Sequence, residues 1–144
     1  MPGISVPTAS LRAYLVEDNL HVRESLVAAL EELTPLKIVD TSGDERVAVD
    51  WLAEHGEPCD LIIVDLFLRS GSGLGVLETV RRHYPHLHAI VLSNYATPEI
   101  RARCAAAGAE RVFDKSRDID LLVSYCTNLA SACDAHPGAQ APPH

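Results

Sequence analysis

Leu61-Ile62-Ile63-Val64-Asp65 is the stretch whose reading decides the fold. Four apolar residues in a row read as a strand buried on both faces, the habit of a parallel sheet with helices on each side. The run stops on a carboxylate. A buried strand that delivers an acid to its carboxyl end places that acid at the rim of the sheet, and in open α/β proteins ligands bind at that rim. Asp65 is then either an acid with chemistry to perform or an ordinary acid that begins a loop.

Outward from this run, strand-like and helix-like stretches alternate. Leu11 to Val16 is an apolar run that ends at Glu17-Asp18. Asn19 follows as a helix N-cap, and Val22, Leu26, Ala29, Leu30 and Leu33 repeat at helical spacing until Pro35. Leu36 to Val39 reads as a second strand, and Glu45 to His55 as a helix stopped by Gly56. After the central run, Arg69 to Gly75 is a Gly/Ser loop, and Leu74 to Tyr84 is an amphipathic helix ended by Pro85. His88 to Ser93 is a fourth strand. Thr97 and Pro98 then start a helix that runs to Ala107 and stops at Gly108. Arg111 to Phe113 is a fifth strand leading to Asp114-Lys115, and Asp118 to Ala130 is the last helix. Such alternation with short connections predicts one α/β domain over residues 11–130. Residues 1–10 read as a flexible leader, and residues 131–144, rich in Ala, Pro and His, as a disordered tail.

The 144 residues suffice for one domain with a core. A net charge of −8 argues against a nucleic-acid partner, which needs a basic surface. No apolar run reaches the roughly 20 residues of a membrane span, and Met1 to Ser10 lacks the pattern of a signal peptide, so a cytoplasmic location is expected. Cys59, Cys104, Cys126 and Cys133 form no C-x-x-C pair, so they read as reduced core residues, with Cys133 a free thiol near the tail. Trp51 reads as a core or half-buried helix residue. His86 and His88 lack a third ligand and make a weak metal claim. The Gly71-Ser72-Gly73 loop lacks the lysine of a nucleotide-binding loop.

The polar residues fall at corresponding places. Strand one ends at Glu17-Asp18, strand three at Asp65, strand four at Ser93 and strand five at Lys115. All lie on the carboxyl side of a parallel sheet and can share one crevice. Taken singly each has a bland reading: loop acid, first-turn acids of a helix, surface lysine. One site explains all of them together.

With these motifs, and with Asp65-Leu66-Phe67-Leu68 followed by Ser72-Gly73-Leu74, the sequence resembles a response-regulator receiver domain of two-component signalling, over roughly Leu11 to Ala130. The resemblance implies a flavodoxin-like doubly wound parallel sheet in the order 2-1-3-4-5. It implies that Asp65 accepts a phosphoryl group from a histidine kinase or histidine phosphotransfer protein, with Lys115 and Ser93 contacting the phosphoryl oxygens. Mg²⁺, or Mn²⁺ in its place, would be held by Asp18, Asp65, the backbone carbonyl of Phe67 and, through water, Glu17. Output would pass through a protein contact or a phosphorelay, with the chain a monomer or weak homodimer and not a turnover enzyme. The chain reads as a stand-alone receiver, or as the receiver portion of a longer regulator.

The sequence departs from the family pattern at three positions. Val112 stands where a switch aromatic is usual, and strand alternation sends Phe113 to the other face. Ser116 follows the lysine where proline is common, and Asn94 follows the hydroxyl residue where Ala or Gly is usual, narrowing access to Asp65. These keep open a second reading, a pseudo-receiver that signals without phosphate. A third, an Asp-nucleophile phosphatase, would need an acid where Phe67 stands. Phe67 and Tyr95, each two residues past a site residue, are expected to exclude water and slow the loss of phosphate.

Overall fold

The computed structural model describes residues 10–135. The leader expected over residues 1–10 falls outside it except for Ser10. Ten elements follow in strict alternation: β1 Leu11–Val16, α1 Leu20–Leu33, β2 Leu36–Ser42, α2 Glu45–His55, β3 Leu61–Asp65, α3 Gly73–His83, β4 His88–Ser93, α4 Pro98–Ala106, β5 Arg111–Asp114 and α5 Ile119–Ala135. The five strands form one parallel sheet in the order β2-β1-β3-β4-β5. β3 lies at its centre, and every residue from Leu61 to Asp65 is buried.

Strand alternation divides the core into two layers. Tyr14, Val16, Ile62, Val64 and Val91 face one way and pack with Ala48, Leu52, Val76, Leu77, Val80 and Cys104 of α2, α3 and α4. Leu15, Leu61, Ile63, Ile90, Leu92 and Phe113 face the other way and meet Leu26, Leu30, Leu122 and Cys126 of α1 and α5. Phe113 is therefore buried beneath α1 and α5, while Val112 packs on the opposite face. Trp51 is half-buried and stacks on buried Tyr14 with ring centroids 3.8 Å apart.

Two boundaries differ from the sequence expectation by more than a residue. β2 continues through Asp40, Thr41 and Ser42: an edge strand tolerates exposed Asp40, and buried Ser42 accepts from the hydroxyl of Tyr14 at 2.6 Å. α5 runs to Ala135, so residues 131–135 are helix and not tail. Nothing in Ser131-Ala132-Cys133-Asp134-Ala135 breaks a helix, and the first residue that does is Pro137. The rest of the expected tail lies outside the described residues. His86 and His88 separate: His86 bonds the carbonyl of Gly56 and His88 the carboxylate of Glu110, so they share no metal site.

Candidate acidic pocket at the strand ends

The helix starts are built by local chemistry, and they place the pocket. Asn19 caps α1 by accepting from the amide of Val22 at 3.0 Å. That turn carries Glu17 and Asp18 off the end of β1. Glu17 is fully buried: its amide donates to the carbonyl of Ser42, and its Oε2 accepts from the amide of Asn19. Arg23, one turn into α1, reaches back and donates through Nε and Nη2 to the Glu17 carbonyl at 3.1 and 2.8 Å. The acidic pair thus sits on a backbone pinned from both flanking elements.

Lys115 closes the pocket from β5. Its Nζ lies 2.6 Å from Oε1 of Glu17 and 3.1 Å from Oδ2 of Asp65. The other oxygen of Asp65 accepts from the amide of Phe67 at 3.2 Å, which turns the chain sharply after β3. Asp18 is half-buried and accepts from the amide of Arg69 at 2.6 Å. Glu17, Asp18 and Asp65 each present a carboxylate oxygen, and these oxygens lie within 4.8 Å of one another. Ser93 is fully buried at the end of β4. Its carbonyl accepts from the amide of Lys115, and its Oγ accepts from the amide of Tyr95 at 2.9 Å.

Three carboxylates meet one ammonium, so the pocket carries an uncompensated negative charge. Burial pushes Asp65 up to about 6; Lys115 pulls it down, and the charge of Glu17 adds to the rise. Burial alone would lower the pKa of Lys115, but its hydrogen bond to Glu17 and the charges of Asp65 and Glu17 outweigh that and raise it. An all-oxygen donor set with excess negative charge and partial exposure fits a hard divalent cation such as Mg²⁺. A soft metal that prefers thiolate or imidazole has no matching donor among these residues.

Two exposed aromatics stand two residues past Asp65 and Ser93. Phe67 and Tyr95 meet edge to face with centroids 5.7 Å apart. A groove of about 460 Å³ between α1 and α5 reaches Lys115 and Asn94, floored by Val22, Leu26, Ile119 and Leu122. Asn94 is exposed and borders this groove. Ser116, where proline was the usual residue, donates its amide and hydroxyl to Oδ1 of Asp114 and fixes the turn after Lys115 by hydrogen bonding.

The loop from β3 to α3 is held from outside the pocket as well. Glu45, first residue of α2, accepts from the amide of Ser72 at 2.8 Å, and Ser72 in turn caps α3. Gly71 has φ +84, and a Cβ there or at Gly75 would collide with the Glu45 side chain. Gly71→Ala is expected to destabilise the fold by about 2 kcal/mol, through a left-handed backbone and this collision together. Urea denaturation measures it, and an unchanged midpoint would show that Glu45 does not constrain the loop.

A 2-1-3-4-5 parallel sheet with an acid–lysine pocket at its strand ends is the architecture of a signalling receiver. A family profile for the response regulator receiver domain matches residues 13–127, and the chain belongs to that family. Among curated relatives, the Fimbriae Z protein of Salmonella typhimurium is 24% identical over 123 residues, 85% of this chain and 58% of that protein. The chain thus spans little more than half the length of that relative. A LuxR-family two-component response regulator from Aurantimonas sp. SI85-9A1 shares the fold with a TM-score of 0.77 at 21% identity, covering 85% of this chain and 86% of that one. So does a CheX–CheY–BeF₃–Mg²⁺ complex from Borrelia burgdorferi, with a TM-score of 0.69 at 18% identity over 80% of this chain and 88% of the other. No helix among the described residues is long and apolar enough to cross a membrane.

Proposed function

We propose that the chain is a phosphoryl-accepting receiver: Asp65 takes a phosphoryl group from a phosphohistidine on a partner kinase or phosphotransfer protein. The observation that carries this reading is the position of Lys115, bonded to both Asp65 and Glu17 inside a pocket of three carboxylates. Phosphoryl transfer asks the protein chiefly for positioning and charge neutralisation. An oxygen of Asp65 attacks phosphorus, the P–N bond breaks, and its electron pair returns to the imidazole. A carboxylate held at about 6 is ionised at pH 7 and more basic than an ordinary aspartate, which favours attack. Lys115 pairs with one phosphoryl oxygen as a compact cation. The Ser93 hydroxyl donates to another. Asp18, Asp65, the Phe67 carbonyl and, through water, Glu17 would hold Mg²⁺ or Mn²⁺, which when bound neutralises the repulsion between carboxylate and phosphoryl oxygens.

The apolar groove between α1 and α5 leads to Lys115 and suits a protein donor better than a small anion. Output then follows from the added charge, about −1.5 to −2 near pH 7. Ser93 and the loop behind it move toward the new oxygens and alter the surface made by α4, β5 and α5. The direct test is incubation with acetyl phosphate and Mg²⁺, with the intact mass read before and after. The expected gain is one phosphoryl group; no gain at saturating donor would end this reading.

Phe67 and Tyr95 bear on how long the group stays. Their rings meet edge to face, and by resemblance to the family these two positions flank the path of the attacking water. Replacing either with a polar residue, Phe67→Asn or Tyr95→Glu, is expected to speed phosphate loss about tenfold, a modest share of what a positioned polar side chain contributes to proton transfer. Decay of the phosphorylated mass after donor removal measures this. A wild type that clears phosphate within seconds, at the rate of both variants, would refute the water-excluding role.

A further inference from the structure

Arg101 holds three elements with one side chain. It lies in the first turn of α4, its own amide bonded to the carbonyl of Thr97. Its Nε donates to the carbonyl of Ala96 at 3.1 Å, its Nη1 to the carbonyl of Val112 at 2.7 Å, and its Nη2 faces Oδ2 of Asp118 at 3.5 Å. Ala96 belongs to the loop that leaves Ser93. Val112 lies on β5, the edge strand, whose outer carbonyls have no neighbouring strand to bond. Asp118 also accepts from the amide of Asp114 at 2.9 Å and stands just before α5.

Beyond these links, Arg81 of α3 donates to the carbonyl of Ala106 at the far end of α4 at 2.6 Å, and the apolar anchorage of the helix is slight. Cys104 is its one fully buried residue, with Ile100 packed partly against the core. A helix with so little apolar anchorage depends on its polar links and belongs to the easily displaced part of a structure. The loop between Ser93 and α4 is pinned at both ends by polar contacts, among them one side-chain contact at each end that phosphorylation can disturb. At one end Ser93 Oγ holds the Tyr95 amide; at the other Arg101 holds the Ala96 carbonyl. A planar guanidinium spanning three fixed acceptors cannot follow one of them without leaving another.

We infer that Arg101 is a positioning residue for Ser93 and the link through which the acceptor pocket and the α4–β5–α5 face are coupled, a reading that rests on Asp65 as phosphoryl acceptor. Drawing Ser93 toward a phosphoryl group pulls the Ala96 carbonyl from Arg101 and frees the guanidinium from the arrangement that ties α4 to β5 and α5. The coupling is reciprocal. Whatever removes Arg101 from Ala96 also releases Ser93 to close on the phosphoryl group. The half-buried Val112 side chain on the other layer has no polar group to carry this message; the Val112 backbone carbonyl does.

The test uses wild type, Arg101→Ala, Arg101→Lys and Asp65→Asn, each as the full 144-residue chain, with acetyl phosphate and Mg²⁺ for lifetime and beryllium fluoride with Mg²⁺ for amide exchange. In wild type, beryllium fluoride is expected to change exchange in residues 94–103 and 111–121, and Asp65→Asn to show neither change. Arg101→Ala is expected to gain the phosphoryl mass, to retain it about fivefold longer, the lower end of ordinary coupling factors, and to confine its exchange response to residues 94–103. Arg101→Lys keeps the charge facing Asp118 but cannot bridge two carbonyls, so it should behave as Arg101→Ala does; restoration of wild-type behaviour by lysine would overturn the bridging role. A wild type that gains no phosphoryl mass removes the acceptor reading and this coupling with it. A wild type that gains the mass while Arg101→Ala transmits the response to 111–121 unaltered, with an unchanged or shorter lifetime, overturns the coupling alone.

Discussion

Asp65→Asn is expected to abolish phosphoryl incorporation and, without metal at pH 7, to make the protein more stable. The first effect follows from loss of the attacking carboxylate: an amide oxygen in the same place is a poor nucleophile and cannot form the acyl phosphate. The second follows from the sign of the Asp65 shift. Burial holds the folded-state pKa at about 6, above the ordinary carboxylate value of 3.8. The folded state therefore binds this proton more tightly than the unfolded chain does. Its contribution is fully present below the unfolded value and is lost as pH rises through about 6. At pH 7 the ionised group is a cost to folding of about 3 kcal/mol, which Asn does not carry. In a domain of this size that is about 10 °C in melting temperature. The gain should vanish near pH 4 and in saturating Mg²⁺. Thermal melts at both pH values, with EDTA and with Mg²⁺, check it. In the same window, phosphorylation of wild type by acetyl phosphate should slow as pH falls through about 6. An Asn variant that melts below wild type at pH 7 in EDTA would mean that the Lys115 contact, and not burial, governs Asp65.

That cost locates function in the energetics. Every other residue of β3 is apolar and buried, and Ile62, Ile63 and Val64 could not be better suited to a central strand. The strand then ends in an acid that a folding argument alone would not place there. A local rule broken without structural gain is the mark of a functional position. It is also why the pocket could be read from the chain. Glu17, Asp65 and Ser93 sit one step past an apolar run and Asp18 and Lys115 two, and parallel pairing brings such steps together. The Phe113 side chain could be placed for the same reason, since alternation fixed its face.

The rest of the site leaves no such trace. The Arg69 amide on Asp18, the Ser72 amide on Glu45 and the Glu17 carbonyl under Arg23 are backbone partners, and any residue supplies an amide or a carbonyl. Arg101 looks like a solvated charge because it is exposed; its role depends on three carbonyl and carboxylate oxygens brought together from three elements. The boundaries of β2 and α5 were missed for a related reason. Polar residues on an edge strand and a breaker-free helix end carry no local signal of where the element stops.

Lys115→Met is expected to act opposite to Asp65→Asn. Glu17 and Asp65 are 1% and 6% exposed, and among the described residues Lys115 is the one cationic side chain that bonds their carboxylates. The folded pKa of Lys115 is raised, so its stabilising contribution is fully present below the ordinary lysine value and is lost only as pH climbs through the folded value. At pH 7 its removal leaves two buried carboxylates facing each other. Breaking a buried pair from one side typically costs about 3 kcal/mol, and the loss should fall in EDTA at pH 7. At pH 5 the deficit shrinks, because Asp65 no longer has Lys115 to pull it down and takes up a proton. Millimolar Mg²⁺ should raise the melting temperature of Lys115→Met more than that of wild type, since the pocket has lost its competing cation. Stability recovered in this way should not recover function: with no ammonium for the phosphoryl oxygens, incorporation from acetyl phosphate should stay about 100-fold slow, the usual consequence of losing one group aimed at developing charge. A variant that regains both stability and wild-type phosphorylation in Mg²⁺ would reduce Lys115 to a counter-ion for the empty pocket. One that melts like wild type in EDTA would show that the two acids are solvated and that the pocket does not hold them as an ion-paired cluster.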